Sequence, residues 1–206
     1  MKMRTVMVDN KSVTPSKVVC VGRNYVEHIK ELNNEVPTSM VIFMKPNSAL
    51  SAELITGKQT PLHYEGEISF LIKEGKIYAV GFGLDLTHRE LQSELKAKGL
   101  PWERAKAFDG AAVMSSFVSI KEEDIDKLSM ELWINGLLVQ EGGVDLMIYN
   151  PIKVIEEINS FSSLADNDIM MSGTPKGVGS YVEGDVFEGK ILINKKEIIS
   201  HKWVAK

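Results

Sequence analysis

Apolar positions along the chain fall into short runs broken by Gly, Pro and Asn, the pattern of a strand-rich protein. Lys17 to Gly22 predicts a strand running into a glycine turn, and Tyr25 to Leu32 a short helix. Val41 to Met44 is a second apolar run, stopped by Lys45-Pro46. Glu67 to Lys73 and Ile77 to Leu84 predict two strands joined by the hairpin-type turn Glu74-Gly75-Lys76. His88 to Lys98 has helical composition and stops at Gly99, with Pro101 just beyond. Phe117 to Ile120 and Met130 to Ile134 predict strands, and Asn135-Gly136 turns the chain back along Leu137 to Gln140 as the clearest hairpin. Pro151 to Phe161 predicts an amphipathic helix, with Val154, Ile155, Ile158 and Phe161 at helical spacing. Asp168 to Ser172 predicts a strand into a Gly-rich loop ending at Gly179, and runs at Val186 and Ile191 to Ile193 complete a strand-rich C-terminus. With no repeat, low-complexity tract or linker, the expectation is one α+β domain over residues 1–206, rich in β.

A chain of 206 residues can bury a real core without disulfide staples. Its formal net charge of -4 lacks the concentrated basic face that nucleic-acid binding requires. The single cysteine, Cys20, lies in Val18-Val19-Cys20-Val21 and is expected as a buried strand residue, so no intrachain disulfide forms and a cytoplasmic address fits. No apolar run approaches the ~18 residues of a membrane span, and Met1-Lys2-Met3-Arg4 is followed by no apolar signal core.

Four groups of polar residues could carry chemistry. Glu65 and Glu67, two apart, project to one side of an extended chain. Two such carboxylates repel unless a cation lies between them, and hard cations such as Mg2+ and Mn2+ take oxygen ligands. Asp85 adds a third carboxylate if the hairpin brings it alongside; by spacing alone, a solvated strand face accounts better for the pattern. His28 and Glu31 share a helix face, the arrangement that orients and activates a general base, although a surface pair of small weight explains it too. Arg89 and Gln92 stand at the same spacing, with Lys106 further on; by composition all three are ordinary exposed helix residues. The loop Ser172 to Gly179 offers backbone N–H groups and the Thr174 hydroxyl to an anion, yet lacks P-loop spacing and also fits a tight Gly/Pro turn.

Read in order, the segments Gly22-Arg23-Asn24-Tyr25 with His28 and Glu31, Phe43-Met44-Lys45-Pro46, His63-Tyr64-Glu65-Gly66-Glu67, Asp85 with Arg89 and Gln92, Gly99-Leu100-Pro101-Trp102 with Ala105-Lys106, and Gly173 to Gly179 resemble the fumarylacetoacetate hydrolase family. The match runs from about Val18 to Gly189. The Gly99 to Trp102 segment points to the short acylpyruvase and oxaloacetate decarboxylase branch. Gly66 departs from the bulkier residue frequent between the two glutamates. The resemblance implies a mixed β-sheet roll of that family's C-terminal-domain type with a few short helices, usually a homodimer, and one Mg2+ or Mn2+ per chain. It implies Glu65, Glu67 and Asp85 as metal ligands, His28 and Glu31 as a water-activating dyad, Lys106 as a further catalytic contact, and Arg23, Lys45, Arg89, Gln92 and Thr174 as substrate contacts. The dyad helix is expected to act as a lid anchored by Val26, Ile29 and Leu32, with the loop Leu32-Asn33-Asn34-Glu35 more mobile still. The expected partner is a small 2-oxo acid. Hydrolysis of a C–C bond in an acylpyruvate, of the acetylpyruvate or fumarylpyruvate type, is the first expectation, with oxaloacetate decarboxylation at the same site. The alternatives are a hydratase or isomerase of unsaturated 2-oxo acids in aromatic catabolism, and an oxaloacetate tautomerase.

Overall fold

Strands claim most of the apolar runs. The computed structural model describes residues 3–32, 38–57 and 60–206. In chain order the elements are β1 (Val6–Val8), β2 (Lys11–Val13), β3 (Lys17–Gly22), α1 (Val26–Glu31), β4 (Val41–Pro46), β5 (Leu50–Ser51), β6 (His63–Tyr64), β7 (Gly66–Lys73), β8 (Lys76–Asp85), α2 (Arg89–Ala97), α3 (Glu103–Lys106), β9 (Ala112–Met114), β10 (Val118–Ser119), β11 (Leu128–Ile134), β12 (Leu137–Gly143), α4 (Pro151–Phe161), β13 (Ile169–Met171), β14 (Gly179–Ser180), β15 (Val186–Ile193) and β16 (Lys196–Val204). A mixed sheet runs β4-β3-β13-β7-β8-β9-β5, with β10 also on β8. Its β3–β13 and β5–β9 pairs are parallel. A second, antiparallel sheet runs β12-β11-β15-β16.

The two sheets face each other, and the large sheet is covered on its other side as well. This explains why Val18-Val19-Cys20-Val21 is apolar at every position. Val19 and Val21 join Ile68, Phe70, Phe82, Met130 and Phe187 between the sheets. Val18 and Cys20 join Val6, Val8, Leu71 and Phe117 in a second cluster reached by the N-terminal hairpin. Cys20 is thus fully buried in a strand, as expected. Gly66 is explained by the inter-sheet layer: a Cβ there would lie 2.9 Å from Met130 and 3.0 Å from the Phe82 ring. On the second cluster's side, Asp168 accepts hydrogen bonds from Ser16 N and Oγ, Lys17 N and Nζ, and Ala165 N, tying the start of β3 to the approach to β13.

Several elements depart from the sequence reading. The separate runs at Val186 and at Ile191 to Ile193 are one strand, β15, continuous through Gly189. β16, α3 and the short strands β1, β2, β5 and β9 were not evident. β16 is mostly polar and half exposed, so it has little apolar signal. Phe117 to Ile120 contributes only two residues to a strand. In α1 the buried residues are His28 and Ile29, whereas Val26 is 39% exposed and anchors nothing. The expected mobile stretch Asn33 to Glu35 lies outside the described residues. Among the described residues, no helix is long and apolar enough to cross a membrane.

Candidate active site

Register brings the three carboxylates together. Gly66 pairs with Leu84 and Glu67 with Gly83, and Asp85 N donates to Glu65 O at 2.8 Å, so Glu65 stands across from Asp85 with Glu67 two residues along the same face. Carboxylate oxygens of Glu65, Glu67 and Asp85 lie within 4.8 Å of one another. All three side chains are buried.

The charges around them are unevenly matched. Lys106, at the end of α3, donates to Glu65 Oε2 at 2.8 Å, Asp85 Oδ2 at 2.7 Å and Thr87 Oγ1 at 2.7 Å, which uses all three of its N–H groups. Burial opposes its charge, but Asp85 and Glu65 outweigh burial and hold the ammonium above the usual lysine range. Arg89 donates to Glu65 and, at 2.8 Å, to Gln92 Oε1. Burial pushes the Glu65 carboxyl up, yet Lys106, Arg89 and His28 together hold it well below the usual range. Glu67 has no ion pair among the described residues and accepts the Gly173 N–H at 2.7 Å. Burial, then Asp85 and Glu65, push its carboxyl well above the ordinary value. Asp85 Oδ1 accepts no hydrogen bond among the described residues, and Lys45 Nζ at 2.7 Å makes a charge contact without hydrogen-bond geometry. An uncompensated buried carboxyl beside two others, all hard oxygen donors, fits a small divalent cation.

The opposite wall comes from α1 and the Gly-rich loop. His28 Nδ1 lies 3.2 Å from Glu31 Oε2, and Glu31 Oε1 accepts the Gly177 N–H at 2.9 Å. Gly177 has φ +100°, and a Cβ there would lie 2.0 Å from Val139 O, so only glycine allows this contact. Gln140 Nε2 donates to Thr174 Oγ1 at 2.8 Å, while its Oε1 accepts Gly66 N at 2.9 Å, fixing the loop to the strand that carries the glutamates. Arg23 is held in the left-handed region at φ +57°, next to a buried Asn24 that donates to the carbonyls of Tyr149 and Ser172.

One cavity is therefore lined by Arg23, His28, Glu65, Glu67, Asp85, Arg89, Gln92, Lys106 and Thr174. Glu31 joins through His28. Lys45 stands behind the cavity: it is fully buried, its Nζ lies 2.7 Å from Asp85 Oδ1, and it donates to the carbonyls of Lys106 and Ala111. Gln92 and Lys106 are not the exposed helix residues their composition suggests, because α2 and α3 turn them inward. Sequence reasoning missed Lys96, Trp102 and Gln140. For Lys96 a signal existed, since it falls seven residues after Arg89 on the face that carries Gln92.

Residues 17–201 match the family described as fumarylacetoacetate (FAA) hydrolase C-terminal. The mitochondrial oxaloacetate tautomerase of Schizosaccharomyces pombe is 36% identical over 214 aligned positions, covering 92% of this chain and 95% of that protein. Among solved structures, a protein of Oleispira antarctica assigned as a fumarylacetoacetate isomerase/hydrolase is 33% identical with a TM-score of 0.94, over 99% of this chain and 100% of that one. Fumarylpyruvate hydrolase of Pseudomonas aeruginosa, solved with Mn2+ and pyruvate, is 25% identical with a TM-score of 0.89, over 98% and 95% of the two chains.

Proposed function

The chain belongs to the fumarylacetoacetate hydrolase family, and from that premise we propose that it is a divalent-cation enzyme interconverting the keto and enol forms of a small 2-oxo acid of the oxaloacetate kind. The observation that carries this reading is the buried, unpaired Glu67 carboxyl beside Glu65 and Asp85, in a cavity walled by His28. These three carboxylates would hold Mg2+ or Mn2+. Bound there, the cation supplies Lewis acidity toward the 2-oxo group.

The chain's own residues do the rest. Arg89, with Gln92 behind it, orients the 1-carboxylate, and Thr174 bounds the other side. His28 has one ring nitrogen held by Glu31, which leaves the other to take or return the proton at C3. Lys106, whose three N–H groups go to Glu65, Asp85 and Thr87, would hold the two carboxylates in position, and the proton at the 2-oxo oxygen would exchange with water. The sum is one proton leaving carbon and one arriving at oxygen, with no net change in atoms.

A second reading is favoured by the His28–Glu31 pair and by the likeness to fumarylpyruvate hydrolase. In an acylpyruvate, His28 would instead deprotonate water that attacks the distal carbonyl. The bond from C3 to the acyl carbon breaks, its electron pair stays with the pyruvate fragment, and C3 takes a proton. Oxaloacetate decarboxylation would use the same fragment without water. Hydrolysis, the first expectation from the sequence, stands second because the relative from Schizosaccharomyces pombe is a tautomerase.

The test follows ketonisation of enol-oxaloacetate by ultraviolet absorbance, beside acetylpyruvate and fumarylpyruvate. Acceleration that EDTA abolishes and Mg2+ or Mn2+ restores is expected. Full activity in verified metal-free protein overturns the cation's role, and faster turnover of an acylpyruvate puts hydrolysis first.

A further inference from the structure

A break in the second sheet turns one amide inward behind the cavity. Along β12, Leu138 pairs with Trp133 and Gln140 with Leu132, so Val139 has no partner and forms a β-bulge. The bulge breaks the alternation of the strand: Leu138 is exposed, whereas Gln140, two residues on, is buried. The bonds that Gln140 makes have a forced polarity. Gly66 N can only donate, so its bond at 2.9 Å fixes Oε1 as the acceptor and turns Nε2 toward the Gly-rich loop. The two N–H groups of Nε2 go to Thr174 Oγ1 at 2.8 Å and Pro175 O at 2.9 Å, with Lys176 O a longer contact at 3.5 Å. Thr174 Oγ1 is therefore an acceptor toward Gln140, and its own hydrogen must point elsewhere. Pro175 O lies 3.4 Å away but already takes a Gln140 N–H.

Resting on the reading above, we propose that Gln140 is a positioning residue: it directs the Thr174 hydroxyl to donate to an anionic oxygen of the bound 2-oxo acid. Thr174 is buried and lines the cavity with Glu65, Glu67 and Asp85. With the Gln140 direction closed to it, the hydroxyl hydrogen is left for the cavity. A neighbour that accepted instead would draw the hydrogen away and leave a lone pair facing the anion. The same amide holds the peptide between Glu65 and Glu67, so the donor and the carboxylates keep one spacing.

The experiment measures pyruvate binding to the Mn2+-loaded protein by calorimetry, for wild type, T174V, T174S, Q140E, Q140M and each Gln140 variant combined with T174V. T174V is expected to weaken pyruvate about tenfold or more, the scale of a lost hydrogen bond to a charged group, and T174S to bind as wild type does. Q140E accepts from Thr174, and the uncharged Q140M leaves the hydroxyl undirected. In either background T174V should cost less than about twofold more, because the two residues act as one unit. Hydrogen exchange over residues 173–179 reads the loop in the same samples, and its protection should match wild type. No loss in T174V, a full T174V loss in either Gln140 background, or loop protection or folding lost in both Gln140 variants each overturns the assignment. Pyruvate carries the 2-oxo acid group without being turned over. A wild type that binds it with this pattern yet speeds no ketonisation would therefore sink the reaction and leave Gln140 standing.

Discussion

Among the described residues Glu67 is a poorly compensated buried carboxyl: flanked by two carboxylates, and relieved by one backbone N–H. Glu67→Gln should therefore act in opposite directions on two quantities. In EDTA at pH 8 it should stabilise the protein by about 1 kcal/mol or more, since an uncompensated buried carboxyl is costly. Its affinity for Mn2+ should fall by more than about a hundredfold, beyond the 10–100-fold typical of outer-shell changes. Denaturant unfolding and Mn2+ titration of the same samples check both, and a destabilised variant with unchanged Mn2+ affinity would make Glu67 a structural residue. The spacing Glu65-x-Glu67 and the pairing of His28 with Glu31 were legible in the sequence because both depend on local geometry. The burial of Lys106 and of Lys45 was not. Both depend on where α3 meets β4, a contact between residues some sixty positions apart.

Among the elements, α1 borrows its stability from its surroundings. A helix of six residues cannot persist alone. It is held by Ile29, by His28 against the cavity, and by the Glu31 clasp on Gly177. Oxalate, a mimic of pyruvate enolate, should raise amide protection across residues 24–32 if α1 closes on the substrate. Hydrogen exchange with and without oxalate reads this, and unchanged protection at saturating oxalate removes the lid. His28→Ala should cost acylpyruvate hydrolysis about 10²–10⁴ in rate while oxaloacetate decarboxylation loses far less, because only hydrolysis needs activated water. Equal losses would make His28 a substrate contact. The contrast with α4 is instructive. Its span was readable to the residue from Pro151 and the period of Val154, Ile155 and Ile158, and Asn150 caps it by accepting Lys153 N at 2.9 Å. β16 went unread because Lys196, Glu197, Ser200 and Lys202 face solvent and only Ile199 and Trp203 are buried, which leaves little apolar period to find.

For the molecule as a whole, Asp168 joins segments about 150 positions apart and should set tolerance to acid. Burial would raise its carboxyl, but hydrogen bonds from Lys17, Ser16 and Ala165 hold it below the ordinary 3.8. A depressed carboxyl stabilises above its unfolded value and loses that contribution as pH falls through the folded one. Wild type should thus lose stability below about pH 4. Asp168→Ala, which strands Lys17, should unfold about 3 kcal/mol more easily at pH 7 and show a flatter acid limb. Melting temperature against pH for both proteins measures this, and parallel curves would discount Asp168. The two-sheet layering was legible only as a strand-rich class, since hydrophobic runs do not say which faces meet. The pairing of β7 with β8 carries one more consequence. Ile68, Phe70 and Ile72 point between the sheets, whereas Glu67 and Ser69 point the other way. A slip of one residue would drive Glu67 into the apolar layer and eject three large side chains. A misaligned hairpin is therefore disfavoured, so the acidic face of β7 helps to fix the register of the sheet that carries it.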